Sequence, residues 1–406
     1  MPSTLPDGDP APPDGALPEE ALRGLGERPF GIYVHVPFCA SRCGYCDFNT
    51  YTARELGGGA SALSYVDTAI AEIGLAAHVL GPDAPPAQTV FFGGGTPTLL
   101  PSEHLAAMLG EVRDRFGLSS DCEVTTEANP ESVTARSLDR LRQAGFTRLS
   151  LGMQSAREHV LAVLDRQHTP GRVAAAAAEA RSAGFEHVNL DLIYGTPGET
   201  EQDWQASLDA AVQADPDHIS AYALIVEDGT ALARKVARGE LPAPDDDVLA
   251  DRYEQADVAL SRAGYLWYEV SNWSAGRSGR SRHNQLYWTG ADWWGIGPGA
   301  HSHVGGVRWW NVKHPVAYAG LVEAGRSPAQ ARELLSARAR RTEQIMLGVR
   351  LRDGLSTSIL TAGGRRAAEE AVGYGLLSRV EHLAGRAVLT LRGRLLADAV
   401  VRSLLD

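Results

Sequence analysis

The sequence predicts an α/β protein: an open, six-unit (β/α) partial barrel followed by a smaller helical module. Three observations predict it. Short strand-like stretches alternate with helical ones from residue 30 to about residue 224, and strand–helix units in series imply a parallel sheet with right-handed crossovers. Polar or glycine-rich residues stand just where each predicted strand ends, the side on which such barrels carry their chemistry. After about residue 265 the pattern gives way to a segment dense in Trp and His.

The predicted strands are GIYVHV (31–36), TVFFGG (89–94), CEVTTE (122–127), RLSLG (148–152), HVNLDLIYG (187–195) and HISAYAL (218–224). They are rich in β-branched and aromatic residues and read as mostly apolar on both faces, as strands covered on both sides would be. Helical patterns fill 61–80, 102–116, 134–144, 156–164 with 170–184, and 200–214; the alanines at 174–178 are helix formers. Six units are fewer than a closed eight-fold barrel needs, hence the open form. The chain divides into a disordered tail (1–28), the partial barrel (29–265), a Trp/His-rich extension (266–313) and a C-terminal module (314–406). Two helical stretches open that module. Its last part, GLLSRVEHLAGRAVLTLRGRLLADAVVRSLL, reads as helix, short β-hairpin, helix, a winged-helix-like arrangement.

With 44% apolar residues and a formal net charge of −12 over 406 residues, the chain can bury a sizeable core. It is a poor match for a nucleic-acid backbone or an anionic membrane, so membrane association is expected only through a partner. The arginines near the C-terminus form no basic recognition helix and are expected to pack. The start, MPSTLPDGDPAPPDGALPEE, is acidic and rich in Pro and Gly, without the basic and apolar parts of a secretory signal. No apolar run reads as long enough to span a bilayer. A cysteine cluster without an export signal points to metal binding in a reducing cytoplasm.

Three of the four cysteines lie in FCASRCGYCDFNTY, where Cys39, Cys43 and Cys46 are spaced C-x3-C-x2-C. Such spacings let one loop of thiolates wrap one centre. Structural zinc takes four ligands. His35 stands inside a strand, where packing is the commoner role, and Cys122 reads as a buried small residue. Three thiolates and one open position fit a [4Fe–4S] cluster better than zinc or free thiols. The other rim residues are GGGTPT (93–98), Glu127, Gln154, Asp191 and Tyr222–Ala223. Taken singly, each is a turn, a loop cap or a surface group; gathered on one rim, they make a site.

Cys-x3-Cys-x2-Cys after the first strand of an incomplete barrel, with Tyr45 before the last cysteine, resembles the radical S-adenosylmethionine superfamily. GIYVHVPFC, FFGGGTPTLL, LSLGMQS, LDRQH, LDLIYGTPGET and GIGPGAHS narrow the resemblance to the oxygen-independent coproporphyrinogen III oxidase family, over nearly all of residues 30–400. The resemblance implies that S-adenosylmethionine takes the open iron. It implies that Tyr33 and Tyr45 lie against the cluster and S-adenosylmethionine, and that Gly94, Gly95 and Thr96 hold the methionine part. Glu127, Gln154, Arg166 and Asp191 would meet its ribose and carboxylate ends, and Ala223 and His301 would line the adenine.

Two departures separate the chain from the decarboxylating members. Phe48 stands where they have a further cysteine, and only the Pro/Gly-rich tail stands where they have a longer N-terminal region. Both match the sister group of HemW-type heme chaperones, as does the motif HNxxYW, here His283-Asn-Gln-Leu-Tyr287-Trp288. The resemblance implies heme as a third cofactor and heme-accepting proteins as partners. Seven of the eight tryptophans fall between Trp267 and Trp310, with His283, His301 and His303. A porphyrin site needs flat aromatic walls and often an axial His; the plainer reading of the same residues is a packed domain interface. His283, Tyr287 and Trp288 are the heme candidates, expected at a site separate from the cluster rim.

Overall fold

The computed structural model describes residues 7–56 and 62–405. All six expected strands are present: β1 (Phe30–Val36), β2 (Ala87–Gly94), β3 (Leu118–Ala128), β4 (Arg148–Gln154), β5 (His187–Tyr194) and β6 (His218–Ala223). They lie side by side in chain order and all run parallel. Helices α1 (Ala62–Leu80), α2 (Ser102–Phe116), α3 (Ala135–Ala144), α4 (Glu158–Val163), α5 (Arg172–Ser182) and α6 (Glu201–Gln213) return the chain. Local chemistry sets where they begin. At α6 the Thr200 hydroxyl accepts from the Asp203 amide and the Asp203 carboxylate accepts from the Thr200 amide, each at 3.1 Å, so two otherwise unpaired donors are satisfied.

The expectation of strands apolar on both faces is corrected. Side chains alternate along each strand. Ile32, Val34, Phe92, Leu149, Leu190 and Ile219 are wholly buried in the main core. The alternate positions Tyr33, Phe91, Glu127, Asn189, Asp191 and His218 line an interior cavity instead. The outer face holds the fold together and the inner face holds the chemistry.

The Trp/His-rich extension is part of the barrel rather than an appendage. After α7 (Ala231–Ala237) and α8 (Asp246–Arg262), β7 (Leu266–Glu269) and β8 (Asn272–Ser274) form a hairpin, with β8 antiparallel to β6. Then α9 (Arg282–Thr289) crosses beneath the strands, and β9 (Asp292–Ile296) pairs in parallel with β1, Trp294 opposite Ile32. The meander β10 (His301–Val304), β11 (Val307–Asn311), β12 (Ala329–Leu334) extends that edge. The result is one open sheet, with β7 at one end and the short strand Asp9–Pro10 at the other.

That last strand corrects the reading of the tail. Asp9 lies opposite Arg332 and Pro10 opposite Ala331, Ser327 donates its amide to the Pro13 carbonyl at 2.7 Å, and Ala21 is buried in the main core. Residues 7–28 are therefore an ordered edge strap; residues 1–6 lie outside the described residues. α1 corrects a second reading: over Leu63–Leu80 it is long and apolar enough, at mean hydropathy 1.3, to cross a membrane. In the fold it is a wall helix whose Ala69, Ile73 and Ala76 are wholly buried in the main core.

Beyond α10 (Pro315–Glu323) the C-terminal module comprises α11 (Ala337–Gly348), β13 (Leu355–Ser356), α12 (Ala362–Gly373), α13 (Arg379–Leu383), β14 (Arg386–Ala387), α14 (Leu391–Leu395) and α15 (Ala397–Leu404). The expected hairpin is replaced: β14 pairs with β13, from before α12. The module has its own apolar cluster. Arg394 ties it to the barrel, donating to both oxygens of Asp257 at 2.8 Å and lying 4.5 Å over the Trp267 ring. For this arginine the expected packing role holds.

Candidate functional site

The loop that leaves β1 is fastened at several points. Phe38–Cys39 pairs with Tyr51–Thr52, closing the loop at its base. At its tip the Gly44 amide donates to the Leu164 carbonyl at 3.1 Å and the Leu232 amide to the Gly44 carbonyl at 2.8 Å. Tyr45 packs against a small apolar cluster of Leu164, Ile193, Leu224 and Leu232. Asn49 donates to the carbonyls of Pro298 and Lys313 at 3.0 and 2.9 Å, tying the loop to the GIGPG turn. The cysteines are thus presented by a loop braced across the mouth of the barrel.

All four cysteines are free thiols. Burial raises the Cys39 pKa and pushes that of Cys46 up to about 11, so both are thiols until a metal takes the proton's place. The Cys43 sulfur accepts from Arg166 at 3.5 Å. His35 is no fourth ligand: Nδ1 meets the Tyr33 hydroxyl and Nε2 the Asn49 carbonyl, both at 2.9 Å. Burial lowers its pKa to about 4, so it is neutral and both ring nitrogens are occupied. Among the described residues no three His, Cys, Asp or Glu side chains converge on a single ion. Three thiols on one loop facing one cavity fit a multi-iron cluster, whose thiolates take different irons, better than one zinc.

That cavity measures about 1620 Å³. Cys39, Cys43, Cys46, Tyr33 and Tyr45 line it, and so do Gly94, Gly95 and Thr96. The glycines are needed for a closer reason than ligand approach. A Cβ on Gly95 would stand 2.3 Å from the Phe38 carbonyl oxygen, and Gly94, at φ +110°, would drive one into the His35 ring at 2.5 Å. The turn therefore packs directly on the root of the cysteine loop. The amides of Gly94, Gly95 and Thr96 are spent on Glu127, Val36 and Phe38 at 3.0, 2.8 and 2.7 Å.

Glu127, Gln154, Arg166, Asp191, Ala223 and His301 line the same cavity. Burial, and then the Asp191 carboxylate, raise the Glu127 pKa to about 8. Asp191 is raised by burial although Ser220 and Ser150 donate to it at 2.7 and 2.9 Å. Gln154 is held at φ 57°, a costly conformation for a non-glycine residue. Its buried Oε1 has no hydrogen-bond partner, and neither has Arg166 Nε. Unsatisfied buried polar atoms around one cavity are what a polar ligand would satisfy, so these residues fit S-adenosylmethionine.

His283 and Tyr287 also line this cavity, which corrects the expectation of a separate heme site; Trp288 does not. His283 is buried on α9 at the cavity floor, with Nδ1 against the Thr89 hydroxyl at 2.7 Å and Nε2 against the Tyr287 hydroxyl at 2.8 Å. Burial lowers its pKa to about 3. Both nitrogens are engaged, so it has no lone pair open to an iron. Asn284 donates to Glu269 at 2.8 Å, and Asn272 is a second donor to that carboxylate. The HNxxYW motif clamps α9 to the barrel.

Sequence reasoning missed several lining residues. Phe91, Asn189 and His218 face the cavity, and behind them the fully buried Arg148 donates to Glu123 at 2.9 Å and Asn189 at 2.6 Å. Counting back by twos from Asp191 would have reached Asn189. No local signal marks Arg148 as an interior residue.

The model of the radical SAM superfamily matches residues 33–211. The chain is 58% identical over 384 residues to the heme chaperone HemW of Mycobacterium tuberculosis, covering 95% of this chain and 97% of that protein. It is 34% identical over 327 residues to HemW of Bacillus subtilis, covering 80% and 84%. It is 38% identical over 295 residues to a mouse mitochondrial protein named radical S-adenosyl methionine domain-containing protein 1, covering 72% and 63%. Coproporphyrinogen III oxidase (HemN) of Escherichia coli has the same fold, with a TM-score of 0.81 at 24% identity over 97% of this chain and 94% of that one.

Proposed function

We propose, from the premise that this chain belongs to the HemW family of the radical SAM superfamily, that it binds heme and passes it to acceptor proteins in the cytoplasm. The observation that carries this reading is the match to a named heme chaperone along nearly the whole length of both chains. Cys39, Cys43 and Cys46 would hold a [4Fe–4S] cluster. The glycine-rich turn, Glu127, Gln154, Arg166 and Asp191 would hold S-adenosylmethionine beside it. Such a cluster, reduced, supplies one electron to cleave bound S-adenosylmethionine. The braced loop fixes where the cofactors stand, and the buried Glu127 carboxyl is held short of full charge until a cationic ligand arrives.

The test is anaerobic reconstitution with iron and sulfide, followed by heme titration. About four irons per chain are expected. Replacing Cys39, Cys43 or Cys46 with Ala should abolish them, whereas Cys122→Ala, whose side chain lies away from the cavity, should not. Wild-type protein that binds no heme would remove the chaperone reading. Efficient anaerobic conversion of coproporphyrinogen III would replace it with the decarboxylase reading, against which Phe48 speaks.

A further inference from the structure

Four exposed apolar side chains gather on the lip of the cavity. Phe48, Leu99, Tyr222 and Ile225 are 46%, 41%, 45% and 64% exposed, and all four line it. They come from three segments: the cysteine loop, the turn after β2 and the end of β6. Large apolar groups gathered around a concavity mark a binding surface, whereas scattered ones do not. The wall beneath is aromatic: Phe91, Tyr287 and Trp293 line it, and Phe91 stacks on His283 at 5.1 Å. At about 1620 Å³, the cavity exceeds the roughly 300–1,000 Å³ that a drug-sized ligand fills, so S-adenosylmethionine alone leaves room.

Arg42 and Arg166 are the two Lys or Arg side chains that line the cavity among the described residues. Arg166 is taken up by Cys43 and the Gly152 carbonyl. Arg42 sits at the lip on the Phe48 loop, where one guanidinium nitrogen donates to the Thr50 carbonyl and the other forms an exposed pair with Glu55 at 3.6 Å. Such a pair contributes little and exchanges readily.

Resting on the heme reading above, we propose that the tetrapyrrole lies across the mouth of this chamber, its ring on Phe48, Leu99, Tyr222 and Ile225 and a carboxylate on Arg42. Heme then caps the S-adenosylmethionine site, and the two ligands are coupled: with heme in place, S-adenosylmethionine cannot leave by the mouth.

The experiment titrates heme into reconstituted wild type, Leu99→Glu/Ile225→Glu and Arg42→Gln, with iron content read in each. The double variant should bind heme roughly ten-fold more weakly or worse, since two apolar contacts are lost, with iron retained. Wild type should prefer heme to its dimethyl ester, and Arg42→Gln should lose that preference. Bound heme should slow release of radiolabelled S-adenosylmethionine. Equal heme affinity in wild type and double variant, or the same release rate with and without heme, overturns the placement. Where the glutamates cost the cluster, Ile225→Ser with iron retained takes their place, and undiminished affinity there has the same consequence. Wild type that binds no heme overturns the chaperone reading itself, a distinct result.

Discussion

Glu127 shows how one residue joins fold and site. Its backbone is ordinary β3, but the period of two turns its carboxyl inward, where it accepts the Gly94 amide at 3.0 Å. In the folded chain it titrates near 8, in place of an ordinary 4.5, because burial and then Asp191 disfavour the charge. The fold therefore binds one more proton than the unfolded chain between those values. This contribution is complete below about pH 4.5 and is lost as pH rises through 8. Glu127→Gln keeps an acceptor for Gly94 and removes the titration. Thermal denaturation of the metal-free protein from pH 5 to pH 8.5 should show the variant gaining on the wild type as pH rises. A constant difference across that range would mean that the carboxyl ionises freely in the fold. The cysteines were legible because a ligand loop keeps its spacing in the sequence. Glu127 was legible as a strand end, but nothing in the sequence shows the charge it faces.

At the scale of elements, α9 is the piece that sequence misplaced. Its motif suggested a free-standing heme ligand, yet the contacts that fix its role join residues 160 and 194 positions apart: the His283 amide to Glu123, and the His283 ring to Thr89. No local pattern reports pairings at that range. Strands and helices were legible because their signals are local, an outward apolar stripe or a cap such as Thr200. The buried polar layer beneath α9 was not, because an arginine at a strand start reads as a solvated end. Arg148, wholly buried, donates to Glu123, which also accepts the Arg282 and His283 amides at the start of α9. Arg148→Met should cost roughly 3–5 kcal/mol, because the Glu123 charge is left buried without its partner. Urea denaturation should show Glu123→Gln/Arg148→Met recovering part of the loss; no recovery would mean that Arg148 acts through packing alone. By the same geometry, His283→Ala should lower the melting temperature and leave the Soret band of bound heme in place. A shifted Soret band, with iron content intact, would return His283 to the role its motif suggested.

Across the whole molecule the sheet is open, and an open sheet has edges that must be protected. At one edge the segment after α11 covers β7: Glu269 bridges to Leu351, and the Arg352 amide donates to the Tyr268 carbonyl at 2.8 Å. At the other, β12 would present unpaired backbone groups, and the Pro-rich start of the chain covers them. Proline and acidic residues made this segment read as disorder, since composition cannot show that a chain with little apolar content can be held by another element's edge. The strap is fitted closely: a Cβ on Gly8 would stand 2.7 Å from the Trp310 ring, and Arg332 donates to the Ala16 carbonyl at 3.3 Å. Proline at the outermost strand also removes a donor that a further strand would use. Deleting residues 1–17 should therefore leave the cysteine loop and its iron content intact while uncovering β12. The expected outcome is concentration-dependent self-association, read by light scattering after gel filtration, in a protein that reconstitutes its cluster as the full chain does. A deletion variant that stays monomeric at high concentration would show that β12 is protected by its own charges, Arg332 and Glu333, and that the strap serves another purpose. Loss of the cluster on deletion would instead place the strap's effect at the chamber, through Trp310, whose ring lies 6.0 Å from that of His301 in the cavity wall.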